Sequence, residues 1–438
     1  MYRQHLKRTH RQFFSLNKWK VRLLFWGSAL AIGAVAAVFA MVAAEADERF
    51  HLLYQSKPWL TYLIPPLGLA VIAWLTRRFF PGTEGSGIPQ AIAALSMRKH
   101  GLRVRVLSLK VAMGKILLTT LGLFSGASIG REGPTVHIGA SIMYSLRRIA
   151  PLQLRGQDLM RALILAGGAA GISAAFNTPL AGILFAIEEM SRSFEQRSSG
   201  TLIIAVVFAG ITALVILGPY TYFGSTDATL PLSSAWLAVL LCGVLGGLFG
   251  GLFSTALIFG SRRIAPLMKQ YPVSVAFACG LLISLFGFVS HGQTYGTGYM
   301  EARSLVAGGE TSLLFPLWKL LATISSYLSG IPGGIFAPSL SVGAGLGADL
   351  AMLMPHFPAG ALIMLGMVSY FSGVVQTPIT AFVIVMEMTD NSEMLLPLMA
   401  AALIAKGVSL IVCPKPIYEA LAEAYLTKQH KPEEKSSE

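Results

Sequence analysis

Five stretches of the chain carry no charged residue over lengths that reach or exceed a bilayer core: Leu23 to Ala44, Pro58 to Thr76, Ala162 to Ile187, Ala228 to Ser261 and Leu350 to Met386. About 20 helical residues span the hydrocarbon. A backbone in lipid must also satisfy its own hydrogen bonds, which leaves only helices or closed barrels. Runs this long and uninterrupted predict an all-α polytopic membrane protein. Composition agrees, since 54% of residues are hydrophobic and only 13% charged, about half the charged share of an average soluble domain. Some runs exceed one span, and Ile129 to Leu146 is short and broken by Gly and Pro. Broken spans are tolerated where they face protein or a water-filled cavity, so the pattern predicts a transporter-like interior.

The segment before Leu23, "MYRQHLKRTHRQFFSLNKWKVR", is basic without one acid, and the acidic "EADE" follows the first run. The positive-inside rule therefore puts the N-terminus in the cytoplasm, with residues 1–22 as a cytoplasmic or interfacial stretch. Arg77 and Arg78 end the second run and "MRKHGLRVRVLSLK" comes soon after, so both belong on the same side. The opening run is too long for a signal peptide and lacks a cleavage site. The net charge of +13 gathers at these edges, where it serves topology and attraction to anionic lipid. No compact basic and aromatic module points to nucleic acid. Cys242, Cys279 and Cys413 are scattered, with neither disulfide nor metal spacing.

The chain repeats itself. "SGASIGREGPTVHIGA" from Ser125 aligns with "SGIPGGIFAPSLSVGA" from Ser329, sharing Ser, two Gly, Pro, Gly and Ala in register. "NTPLAGILFAIEE" pairs with "QTPITAFVIVMEM", so that Thr178, Pro179 and Glu188 answer Thr377, Pro378 and Glu387. The shared order and nearly shared spacing indicate duplication. We read residues 1–438 as one transmembrane domain, with a first half at 23–225, a second at 226–418, and a C-terminal helix and polar tail at 419–438.

Three glycine-rich stretches have one grammar. Gly85, Ser86, Gly87 and Ile88 precede Pro89; Gly130, Arg131, Glu132 and Gly133 precede Pro134; Gly334, Ile335, Phe336 and Ala337 precede Pro338. Proline suits the first helical turn because its missing N–H would have no partner there. Each stretch is thus a loop feeding a helix N-terminus, where free N–H groups and the dipole favour an anion. Three such starts point to one small anion. Glu132 is itself an anion at such a place, able to occupy the site and to leave it on protonation; a local pair with Arg131 or a helix cap is the plain alternative. Ionisable groups inside membranes are expensive and usually functional.

"GSGIP" at 85–89, "GREGP" at 130–134 followed by "TVHIGA", "GIFAP" at 334–338 and "KPIY" at 415–418 resemble the signature stretches of the CLC family of chloride channels and chloride/proton exchangers. The match runs in order over nearly the whole chain. The resemblance implies an inverted repeat of tilted, discontinuous helices, and a homodimer with one pore per subunit. It implies that Ser86 and Tyr418 offer hydroxyls to chloride, completed by the backbone N–H groups of Ile335 and Phe336. Glu132 corresponds to the gating glutamate, and Glu189 to the inner glutamate that passes protons between cytoplasm and gate in exchangers. Channel members usually carry a neutral residue there. Lys115 falls where members tend to have lysine, raising the local potential or snorkelling to an interface. Ser86 stands where nitrate-preferring members tend to carry proline, so chloride is the expected ion. No nucleotide-binding CBS pair and no cofactor are expected.

The resemblance implies a prokaryotic-type chloride/proton antiporter in a bacterial inner membrane with cytoplasmic termini; a passive voltage- or pH-gated chloride channel of the same fold is the alternative. From the residues alone, Glu188 and Glu189 also fit a frayed helix end paired with Arg192. Assuming an α-helix, Glu188 points about 100° away from Glu189 and should matter less. An intramembrane enzyme would need clustered His, Cys or carboxylates, whereas His137, His291 and His356 stand alone in their runs.

Overall fold

A computed structural model describes residues 16–148, 156–191, 199–218, 221–230 and 236–427. Residues 1–15, Arg192 and the tail from 428 lie outside the described residues. Eight helices are long and apolar enough to cross a membrane, and among the described residues there is no strand, only two isolated bridges.

The first half runs α1 (Leu16–Ser56), α2 (Ile64–Phe79), α3 (Ile88–Ser96), α4 (His100–Val106), α5 (Leu109–Phe124), α6 (Glu132–Ser145), α7 (Gln157–Phe176), α8 (Pro179–Phe185) and α9 (Ser199–Leu217). The second runs α10 (Trp236–Gln270), α11 (Pro272–Val289), α12 (Tyr299–Val306), α13 (Phe315–Leu328), α14 (Phe336–Leu353), α15 (Ala359–Val375), α16 (Pro378–Thr389) and α17 (Leu395–Val412), and α18 (Ile417–Thr427) follows. Apart from α4, the helix orders correspond one to one. The packing repeats too: α6 lies on α7 as α14 lies on α15, and α7 on α9 as α15 on α17. Across the halves, α2 packs on α11 and α8 on α16.

Residues 16–22, read as part of a cytoplasmic or interfacial stretch, are helical and continuous with α1, since the segment from Leu16 to Ser56 has no proline. The long apolar runs break where the repeated motifs dictate. Asn177 ends α7 and Gln376 ends α15, both in the left-handed region (φ 57° and 60°). Asn tolerates that conformation better than most residues, and Gln376 is held there by amide hydrogen bonds from its Nε2 to Cys413 O and Ser409 Oγ. Thr-Pro then starts the next helix in each case. Such breaks bring helix ends, with their unpaired backbone groups, into the protein interior.

Small residues let the helices that follow the glycine loops approach closely. A Cβ on Gly139 would meet Gly167 O at 2.2 Å, and one on Gly343 would meet Gly366 O at 2.6 Å. These are equivalent crossings, α6 on α7 and α14 on α15. In lipid, where no hydrophobic force drives helices together, such close packing is what holds them.

Candidate functional site

The three glycine loops meet. Gly130 and Gly334 exchange backbone hydrogen bonds, each N–H donating to the other's carbonyl at 2.7 Å. Gly85 N–H donates to Ile331 O at 3.2 Å and Gly333 N–H to Gly85 O at 3.3 Å. The loops therefore satisfy one another where no regular ladder is present, and hold the starts of α3, α6 and α14 at one place. The α3 loop needs glycine at Gly85 (φ 69°) and Gly87 (φ 105°), a region unfavourable for other residues. Pro89, Pro134 and Pro338 all lie in the first turn of their helices, where their missing N–H groups cost nothing.

Ser86, Ile88, Ile335, Phe336 and Tyr418 are all buried there. Tyr418 is the second residue of α18, so a fourth helix start joins the three foreseen. Its ring stacks on Phe336, centroids 6.0 Å apart, and Phe336 packs in turn on Phe371 at 4.7 Å and Phe176 at 6.1 Å. The hydroxyls of Ser86 and Tyr418 are buried and meet each other, with no further hydrogen-bond partner among the described residues. Buried hydroxyls are normally satisfied, so a ligand able to accept from both fits their chemistry. First-turn amides of α14, those of Ile335 and Phe336 among them, lack intrahelical partners by construction. Ser86 Oγ also lies over Gly133, where an added Cβ would come within 2.2 Å of it. Glycine at 133 keeps that space open.

Glu132 opens α6 and is fully buried. Its carboxylate faces its own backbone N–H and that of Ala337 in the first turn of α14, and Tyr222 Oη–H donates to Oε1 at 3.4 Å. A Cβ on Gly130 would strike Oε2 at 2.2 Å, so this glycine admits the folded-in carboxylate. Arg131 acts electrostatically on Glu132 and also donates to Ala40 O at 2.6 Å and lies over the Tyr222 ring at 5.8 Å.

Lys115 does not snorkel. It is fully buried and donates to Thr83 O and Gly85 O, both at 2.9 Å, pinning the loop that carries Ser86.

Glu188 and Glu189 sit in a π-helical turn, Ala186–Ser191, rather than in the α-helix assumed from sequence. Such turns often mark functional sites. Glu189 is buried, and Tyr418 lies within electrostatic reach of both it and Glu132. Glu188, expected to matter less than Glu189, makes contacts of its own. It accepts from Ile379 N–H at 3.2 Å, Thr380 N–H at 2.7 Å and Thr380 Oγ–H at 2.8 Å, capping α16. Its repeat partner Glu387 returns the bond to α8, accepting from Leu180 N–H at 3.2 Å and Ala181 N–H at 2.9 Å.

Sequence reading missed a second loop of the same kind. Thr294-Tyr-Gly-Thr-Gly298 repeats Thr83-Glu-Gly-Ser-Gly87, and Lys319 stands as far from Lys115 as Ser329 does from Ser125. Lys319 is buried and donates to Thr294 O at 3.0 Å, Tyr295 O at 3.3 Å and Gly296 O at 2.9 Å. Here the loop already holds an anion: Thr297 N–H and Oγ–H donate to Asp47 Oδ2 at 3.3 and 3.0 Å. A cavity of about 680 Å³ has Asp47, His51, Arg131, Tyr222, Thr297 and Tyr299 in its walls. The lysines keep the offset of 204 shared by Ser125 and Ser329, but the loops are offset by 211, so an ungapped comparison of the halves hides this one.

Similar structures share this architecture. A slow cyanobacterial Cl⁻/H⁺ antiporter superposes with a TM-score of 0.79 at 27% identity, covering 94% of this chain and 99% of that one. A CLC-type fluoride/proton antiporter matches at 0.78 and 22% identity, covering 92% and 97%. A eukaryotic CLC transporter matches at 0.76 and 20% identity, covering 93% of this chain and 75% of its own. The last two speak for the fold alone, an inverted repeat of discontinuous helices. A sequence profile described as the voltage gated chloride channel matches residues 67–410. The chain is an integral, multi-pass membrane protein belonging to the voltage gated chloride channel (CLC) family.

Proposed function

We propose that this protein is a secondary active antiporter that exchanges chloride for protons. Chloride is held by the hydroxyls of Ser86 and Tyr418 and the backbone N–H groups of Ile335 and Phe336; neutral donors replace hydration without trapping the ion. Glu132 is the gate and Glu189 the inner proton-transfer group. One observation carries the reading: the Glu132 carboxylate lies against the α14 N-terminus, on the amide of Ala337, where an anion passing the loops would also bind. Anion and carboxylate compete for the same donors, so the carboxylate leaves only when neutralised by a proton. Occupation by chloride and protonation of Glu132 are thereby linked. The likeness to a Cl⁻/H⁺ antiporter supports the same direction. The protein acts as a homodimer in a bacterial inner membrane with both termini in the cytoplasm, one pore per subunit. Exposed apolar side chains on α8, α9, α16 and α17, among them Leu180, Ile211, Ile379 and Leu403, are a suitable contact.

Reconstituted vesicles test the exchange. An imposed chloride gradient should drive protons uphill, seen as a change of external pH that follows chloride efflux. Chloride running to its Nernst potential with no proton movement would establish a passive channel instead. Bromide soaked into crystals should give anomalous density between Ser86 and Tyr418, and density only elsewhere would refute the site. Gly133→Ala places a methyl on Ser86 Oγ and should weaken chloride affinity by at least about tenfold in calorimetry, the consequence of one lost hydrogen bond plus overpacking.

A further inference from the structure

We propose that His51 is the proton-loading group of the vestibule on the side of the membrane opposite the N-terminus, passing protons to and from Glu132. The inference rests on the exchanger reading above. His51 lies near the end of α1 with Asp47 one turn before it, both in the wall of the 680 Å³ cavity that also contains Arg131 and Tyr222. Its Nδ1 is 3.0 Å from the backbone oxygen of Asp47. A carbonyl only accepts, so Nδ1 must carry the hydrogen, and Nε2 is left as the basic nitrogen. Nε2 has no hydrogen-bond partner and stands 3.9 Å from Glu301 Oε1, while Asp47 Oδ1 is 3.7 Å from Nδ1.

Acidic groups surround that nitrogen. Asp47 and Glu48 on α1 and Glu301 on α12 are the acids facing it. Lys319 on α13 is the buried base within electrostatic reach of Asp47 and Glu301, and Arg131, Tyr222 and Tyr299 also line the cavity. A proton taken up on the ring would rest between the Glu301 and Asp47 carboxyl groups. Tyr222, in the wall of the same cavity, bonds to Glu132 through its hydroxyl. In the transfer step the Nε2–H bond breaks, an O–H bond forms at a Glu132 carboxylate oxygen, and water in the vestibule relays the proton. His51 ends neutral and Glu132 ends neutral and free to swing from the α14 amide. Reloading from bulk water restores His51.

Planar bilayers test this, because the two chambers' pH can be set separately: current reads flux and reversal potential reads coupling. Acidifying the chamber opposite the N-terminus should raise flux through a single titration step. In His51→Gln that step should vanish and flux at acid pH fall roughly tenfold, the lower range of general acid–base contributions. The response to the other chamber's pH should persist. Glu301→Gln removes one carboxylate facing the imidazole and should move the step about one unit toward acid pH. A His51→Gln profile that overlays the parent's, or an unmoved step in Glu301→Gln, overturns the assignment. If the parent's reversal potential reports no proton coupling, the exchanger reading fails by itself, and the chloride-flux profile still decides for or against His51.

Discussion

Replacing Glu132 by Gln should leave chloride flux intact while proton movement falls to background and the pH dependence of flux disappears. Glutamine has nearly the shape of the protonated acid but can neither release a proton nor act as an anion. The wild-type carboxylate is held by its own N–H, by Ala337 and by Tyr222, in the first-turn field that favours negative charge at a helix start by ~0.3–2 kcal/mol. Removing the charge removes that hold, so chloride meets no tethered rival. The Tyr222 bond survives, since an amide oxygen also accepts, and the fold around Gly130 need not change. Parallel recordings of chloride efflux and external pH check the result. Chloride-driven uphill proton pumping by Glu132→Gln would show that another group carries the proton.

How much of this was legible beforehand depended on the scale of the signal. The spans, the glycine loops and the doubling of the chain stood in the sequence because membrane burial and helix starts each demand particular residue types at particular spacings. Proline at 89, 134 and 338 sits in the first helical turn as expected, because that placement is a local backbone requirement. What could not be read was tertiary. Nothing near Lys115 says that its ammonium will meet the carbonyls of Thr83 and Gly85 rather than reach water, since that is decided by how α5 packs on the loop. The Asp47 and Thr297 contact joins residues 250 apart. The hydrogen bonds of Glu188 to α16 were hidden for the same reason: helical spacing gives a side chain's direction, not what is waiting there. The π-helical turn also altered that direction. The apolar composition hid one more feature, the cavity wall of α1, because Asp47, Glu48 and His51 lie just beyond the uncharged run used to define the first span.

The adjacent glutamates should now separate in a way different from what their sequence suggests. Glu189→Gln should spare chloride binding and flux yet cut chloride-driven proton uptake by at least about tenfold, within the range for loss of a proton-transferring side chain. Its carboxylate is buried in the π-helical turn and near Tyr418, so it can exchange protons with the central site without standing among the chloride donors. Glu188→Ala should instead damage the protein itself. Three hydrogen bonds to the start of α16 are lost, and charge-assisted bonds of this kind contribute ~1.5–3 kcal/mol each where buried, less here because the group is half-exposed. Glu387→Ala, its equivalent across the repeat, should show a similar loss. Thermal unfolding in detergent checks this, with both cap variants melting several degrees lower and Glu189→Gln melting near the parent. Equal loss of chloride and proton flux in Glu189→Gln, accompanied by a lowered melting temperature, would make Glu189 structural too and remove the inner proton station. If the Glu188→Ala protein were as stable as the parent but uncoupled, the two roles assigned to this turn would have to be exchanged.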